Sequence, residues 1–145
     1  MGCVELLDGA EALARKVHAG AVDKAGKPYI NHPARVAERL KNPEEKIVGW
    51  LHDVVEDTEV SLDEIRDGFG AEIADAVDAL THRKGEMWSD YLCRVKRNPI
   101  ARAVKISDLI DNSNLARFAE VTERDVRRQA KYNRALYFLM DVDGE

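Results

Sequence analysis

Residues 50–58, WLHDVVEDT, place one imidazole and three carboxylates within six positions: His52, Asp53, Glu56 and Asp57. Such a group has two chemical uses, holding a cation and moving protons. The aliphatic residues around it, Ile47, Val48, Leu51, Val54 and Val55, recur at the three-and-four spacing of a buried helical face, so the stretch reads as one helix running on from Pro43. At about 100° per residue the four polar side chains fall across roughly 140° of the opposite side. Carboxylates that close repel and raise each other's proton affinity unless something positive sits among them. A divalent metal would resolve the repulsion. A solvated acidic helix end is the plainer alternative, but an adjacent His-Asp followed by Glu-Asp on an apolar backing favours the metal.

A metal needs further ligands, and two other stretches offer them. In residues 29–40, YINHPARVAERL, Asn31 is suited to cap a helix and Pro33 to its first turn, which puts His32 at a helix start with its ring free of the axis. Taken alone, a histidine there is more often a cap or a packing residue. In residues 102–112, RAVKISDLIDN, Lys105, Asp108 and Asn112 lie at offsets of three and seven, within roughly 60° of one another. Ala101, Val104, Ile106 and Leu109 suit that helix to a core, so its polar patch requires partners.

The elements that must position these groups read as helices throughout. Residues 4–19 form a first helix with Leu6, Leu13 and Val17 on its apolar stripe and Gly20 as terminator. Residues 21–28 are a Gly- and Pro-punctuated loop with Lys24 and Lys27, either a segment over a site or solvated surface. Ser61 with Glu64 is a capping-box pattern, residues 71–80 resume helical spacing, and residues 81–85, THRKG, end that helix in a cationic cluster that the helix dipole favours in any case. Helices follow over 88–97 and from Asn98-Pro99. Thr122 with Asp125 caps the last helix, where Arg128 and Tyr132 stand one turn apart. No strand, repeat or low-complexity tract is evident. The expected fold is all-α.

Composition sets the outer limits. A chain of 145 residues is expected to be one domain with room for a core that holds a rigid site. With 22 basic and 27 acidic residues the net charge is −5, which argues against a partner such as a nucleic-acid polymer. Cys3 and Cys93 are far apart and outside any CxxC spacing, so neither a disulfide framework nor a thiolate zinc site is indicated. No apolar run approaches a membrane span and no leader pattern opens the chain, from which a soluble, cytoplasmic protein is expected.

Residues 28–33, PYINHP, 51–58, LHDVVEDT, and 105–112, KISDLIDN, in that order, resemble the HD-domain phosphohydrolases, and within them the hydrolase domain of the RelA/SpoT homologues, especially the stand-alone small alarmone hydrolases. The similarity extends from about Arg15 to Tyr132. It implies one compact HD-domain helical bundle over residues 1–145, with His32, His52, Asp53 and Asp108 as ligands of one divalent metal, usually Mn2+. Glu56 and Asp57 would be the catalytic carboxylate pair. Lys84, Lys105, Asn112, Arg128 and Tyr132 match positions that line the family's nucleotide pocket, and Lys24 falls in the loop that contributes to it.

Two imidazoles and two carboxylates suit Mn2+, Fe2+, Zn2+ or Co2+ better than calcium, and a cation so held acidifies water and polarises a phosphoryl oxygen. Glu56 or Asp57 would then handle the proton; spacing does not choose between them. The family's reaction is hydrolysis of the 3′-pyrophosphate of guanosine tetra- or pentaphosphate to GDP or GTP and pyrophosphate, a step of the stringent response, and a chain without a synthetase segment would only degrade the alarmone. The expected partner is a small phosphorylated nucleotide, met by a monomer or small homo-oligomer. Two other readings stand beside it: an HD phosphohydrolase acting on NADPH at its 2′-phosphate or on a nucleoside monophosphate, and a nucleotide- or metal-binding module without turnover. The loop at 21–24 carries fewer cations than is common among relatives, Ser107 replaces a frequent alanine, and Asp111 adds a carboxylate that either backs a ligand or faces solvent.

Overall fold

Helix boundaries follow local chemistry in most places in the computed structural model, which describes residues 2–141; residue 1 and residues 142–145 of the expected 1–145 domain lie outside the described residues. Among these there are nine α-helices and no strand: α1 (Cys3–Val17), α2 (Asn31–Glu38), α3 (Pro43–Leu51), α4 (Val54–Asp57), α5 (Leu62–Phe69), α6 (Ala71–Leu80), α7 (Trp88–Arg97), α8 (Pro99–Asn112) and α9 (Glu123–Met140). The fold is the expected all-α bundle. Pro43 and Pro99 open α3 and α8, where a missing N–H costs nothing. The Ser61 hydroxyl accepts from the Glu64 N–H, the Asn98 side chain from the Ala101 N–H, and Thr122 and Asp125 form a full capping box. Asn31 does not cap α2: it lies inside the helix, and Ile30 precedes it without a side-chain cap.

Two expectations about α3 change. Residues 43–58 are not one helix, because the chain turns at His52 and Asp53 between α3 and α4. The His52 Nδ1 lies 2.7 Å from the Gly49 carbonyl, so a side chain engages an acceptor at the point where the helix ends. Nor is the end of α3 amphipathic, since Ile47, Val48, Gly49, Trp50 and Leu51 are all buried. The helix runs through the middle of the bundle, packed against α1, α2, α6 and α8. A segment apolar all round belongs in an interior, and this half of α3 forms the axis on which the site is built.

The core joins Ala10 and Ala14 of α1, Val36 of α2, Ile65 of α5, Val77 of α6, Val95 of α7, Val104 and Leu109 of α8 and Leu139 of α9 to this axis. Of the stripe expected on α1, Leu6, Leu13 and Val17 pack at the edge of the core while the two alanines enter it. Small residues there let helices approach. Among the glycines the tightest surroundings are at Gly49, where a Cβ would stand 3.1 Å from the Ala37 Cα and 3.2 Å from the Leu40 Cδ1. Backbone cannot yield as a side-chain tip can, so Gly49 sets the distance between α2 and α3 and with it the distance between His32 and His52. Gly49→Ala is expected to cost about 1–3 kcal/mol by overpacking, despite alanine's better helix propensity. Urea unfolding would measure it, and a stabilised variant would show that α2 can move away freely.

Candidate metal centre and its flanking cavities

Four side chains from three regions of the bundle meet at one point. His32 comes from the first turn of α2, His52 and Asp53 from the turn between α3 and α4, and Asp108 from the middle of α8. Consecutive residues of a continuous helix point about 100° apart. The turn removes that constraint, and the His52 Nε2 lies 3.1 Å from the Asp53 Oδ2. Asp108 Oδ1 stands 2.8 Å from the His32 Nε2 and 3.3 Å from the His52 Nε2, and the His32 Nε2 is 3.9 Å from Asp53 Oδ2. One ligand atom each from His32, His52 and Asp53 falls within 4.8 Å of the others. Donors that share an ion at about 2.1 Å stand roughly 3 Å apart at right angles and about 4.2 Å apart when opposite. These spacings and the mixed nitrogen and oxygen donors fit a divalent cation.

The carboxylates and imidazoles also shift one another's proton affinity. Burial pushes Asp53 up, but the neighbouring His52 outweighs it and holds the carboxyl at about 2. Asp108 is likewise buried, and Lys105 with the two imidazoles keeps it well below the usual carboxylate range. Burial disfavours a charge on His32 and His52, yet the carboxylates beside them hold both above the ordinary histidine value. Lys105 Nζ lies 2.9 Å from Asp108 Oδ2, and the Asn112 amide donates to Oδ1 at 3.2 Å. The patch on α8 therefore closes on itself around the carboxylate.

Glu56 and Asp57 sit on α4 beside the cluster. Glu56 Oε1 accepts from the backbone N–H of His82 at 2.8 Å, which fixes an otherwise exposed side chain to the loop before α7. Burial, with the charges of Asp53 and Glu56 nearby, pushes Asp57 up to about 6. The two carboxyls thus differ in environment.

A cavity of about 300 Å³ opens beside His32 and holds Lys24, Asn112, Arg128 and Tyr132 in its wall together with Tyr29 and Phe118. The loop that carries Lys24 is folded by Asp23, which accepts from the N–H groups of Ala25 and Lys27 and lies 3.5 Å from Arg117. A second cavity of about 400 Å³ adjoins Glu56 and is lined by Lys105, Lys131, Trp88 and Tyr91, with His82 and Glu86. Lys84 is exposed and lines neither of these two cavities. Arg83 next to it donates to the carbonyls of Asp78 and Thr81, the helix-end role that the dipole favours.

Several residues at the site escaped the sequence reading. The Tyr29 hydroxyl donates to Asp53, and His18, buried and held below its usual pKa by that burial, packs on the Tyr29 ring at 4.9 Å. The available signal was position, because Tyr29 lies three residues before His32 in the same motif. Trp88 carries Lys131 over its ring at 4.2 Å and Lys105 at 5.6 Å. Nothing in the sequence distinguishes Lys131 from the other cations of α9.

The description "HD domain" belongs to a family model that matches residues 10–88. A Myxococcus xanthus protein named GTP pyrophosphokinase is 40% identical over 82 residues, 54% of this chain and 11% of that protein. An Aquifex aeolicus guanosine-3′,5′-bis(diphosphate) 3′-pyrophosphohydrolase is 30% identical over 120 residues, 74% of this chain and 17% of its own length. The chain thus spans less than a fifth of the length of either curated relative. Among solved structures, a metazoan SpoT orthologue that hydrolyses ppGpp superposes with a TM-score of 0.78 at 19% identity, covering 94% of this chain and 86% of that one, a likeness of fold. The family match runs from α1 to the start of α7 and takes in α2, the turn between α3 and α4, and α4, where His32, His52, Asp53, Glu56 and Asp57 stand, and the chain belongs to the HD-domain family.

Proposed function

We propose that this chain, as one HD-type domain over residues 1–145, is a metal-dependent hydrolase that removes the 3′-pyrophosphate of guanosine tetra- or pentaphosphate. The observation that carries the reading is the convergence of His32, His52, Asp53 and Asp108 beside Glu56, with a cavity on the His32 side and another on the Glu56 side. The names of the Aquifex relative and of the metazoan structure support the choice of substrate.

The four donors would hold Mn2+, or in its place Fe2+, Zn2+ or Co2+. Such an ion, when bound, supplies a Lewis acid for the phosphoryl oxygens and lowers the pKa of water. The remaining work falls to the chain's own side chains. Water adds to the phosphorus attached to O3′, the P–O3′ bond breaks, and the products are a 5′-di- or triphosphate with a free 3′-hydroxyl and pyrophosphate. Glu56, fixed by the His82 N–H, takes the proton from the attacking water. Asp57 returns a proton to the departing O3′. Lys105 offsets charge at Asp108 and at the phosphates. In the cavity beside His32, Lys24, Asn112, Arg128 and Tyr132 would receive the nucleoside and its 5′-phosphates, with the Tyr132 ring available for stacking. The departing pyrophosphate would occupy the cavity beside Glu56, where Lys131 and Lys105 are the cations. Lys84, exposed in the loop before α7, would meet the phosphates from outside both cavities. No helix among the described residues is long and apolar enough to cross a membrane. The substrate would be a small nucleotide met in the cytoplasm by a monomer or small homo-oligomer.

The deciding assay incubates the purified chain with Mn2+ and guanosine tetraphosphate and looks for GDP and pyrophosphate in equal amounts. Inorganic phosphate from NADPH or a nucleoside monophosphate, with no pyrophosphate from the alarmone, would replace this reading with the second one; metal binding without turnover on any of them would leave a binding module.

Asp53→Ala and Asp108→Ala are expected to lose metal and activity together, as equilibrium dialysis alongside the assay would register. In Glu56→Ala the rate should drop by about 10²–10⁴-fold while the metal content stays near that of the wild type; a metal-free variant would count against a proton-transfer role. Lys131→Ala should raise KM for guanosine tetraphosphate by about three- to fivefold with kcat little changed, and an unaltered KM would remove Lys131 from the substrate site.

A further inference from the structure

Both imidazoles of the cluster are held from behind, by unrelated partners. His52 has its Nδ1 2.7 Å from the Gly49 carbonyl. His32 has its Nδ1 2.7 Å from Oδ2 of Asp111, a carboxylate 1% exposed that stands on α8 three residues after Asp108. In each ring this leaves Nε2 facing the point where the donors converge. We propose that Asp111 is a positioning residue for the metal centre, which by accepting the Nδ1–H of His32 fixes that ring as an Nε2 ligand.

The carboxylate is itself clamped. Arg35 on α2 follows His32 by three residues and Arg39, the cap just past the helix end, follows it by seven with helical backbone, so the three share one face. Arg35 reaches both oxygens of Asp111, Nε to Oδ1 at 2.7 Å and Nη2 to Oδ2 at 3.0 Å, and Arg39 reaches Oδ1 at 3.2 and 3.3 Å. Two guanidiniums keep Asp111 charged and so an acceptor only. They also fix its oxygens in the plane that the imidazole must meet.

A plain ion-pair hub tying α2 to α8 is the competing account. That hub is complete with the two arginines and gives no reason for an imidazole as a third partner. The imidazole, by contrast, has two tautomers, and a partner on Nδ1 is what selects one. The same selection at His52 by a backbone carbonyl, with no arginine near it among the described hydrogen bonds, indicates that presentation of Nε2 is the shared requirement. The anionic partner also makes the His32 ring a stronger donor than a neutral one would.

This inference rests on the metal-centre reading, and the experiment separates the two. Isothermal titration of the full chain with Mn2+ is compared for wild type and Asp111→Asn, with thermal unfolding in EDTA recorded on the same samples. The expected result is folded Asp111→Asn protein that binds Mn2+ about 10- to 100-fold more weakly. Wild-type affinity in the folded variant overturns the positioning role and leaves the metal centre standing. Wild-type protein that takes up neither Mn2+ nor Zn2+ overturns both. Should Asp111→Asn not fold, long-range proton–nitrogen correlation spectra of 15N-labelled wild type loaded with Zn2+ decide the matter: the proton of His32 is expected on Nδ1, and a proton on Nε2 would overturn the proposal.

Discussion

A carboxylate buried as deeply as Asp108, 4% exposed, stays charged only with donors around it, and much of the bundle is arranged to supply them. His32 arrives from α2, His52 from the end of α3, and Lys105 and Asn112 from its own helix. Removing any one would leave part of the buried carboxylate without that partner. Oδ1, which meets both imidazoles, is also the oxygen that faces the rest of the candidate metal centre, so burial and charge compensation act there as one constraint.

That constraint explains why α3 ends where it does. Carried on as regular helix, the chain would have pointed His52 and Asp53 about 100° apart. The turn brings them together, with the His52 ring engaging the Gly49 carbonyl at the helix end. Upstream of the turn, five consecutive residues of α3 are buried, so the break is anchored in the core. Gly49 serves both purposes, its carbonyl orienting His52 and its missing side chain admitting α2 to the distance that His32 requires.

Charge is distributed unevenly around this centre. The chain as a whole is acidic, with net charge −5, yet Lys24, Arg117 and Arg128 line one neighbouring cavity and Lys105 and Lys131 the other. Aspartates accompany two of the cations in the first cavity, Arg117 with Asp23 and Arg128 with Asp125. Such pairing orients long side chains in advance of a ligand while leaving a modest local positive field. Trp88 does comparable work in the second cavity by holding two ammonium groups over its ring.

Most helices, most of their caps and the three motif stretches were legible in the chain alone, because propensity, capping and the three-and-four apolar spacing act over a few residues, but the break between α3 and α4 was not. Pro43, Pro99, Ser61, Asn98 and Thr122 begin helices for reasons contained in their own turns. Residues 32, 52, 53 and 108 could be set apart as candidate donors only through the resemblance of their three motifs to the HD family. Their mutual distances could not, being set by how α2, α3 and α8 pack. For the same reason Asp111 had two readings until α2 was placed against it, and Asn31 looked like a cap until the helix was found to begin at it. Residues such as Trp88 and Lys131 acquire meaning only as neighbours across helices. The local code decided which groups this protein possesses; side-chain packing at the helix interfaces, where a single glycine sets the approach, decided which of them meet.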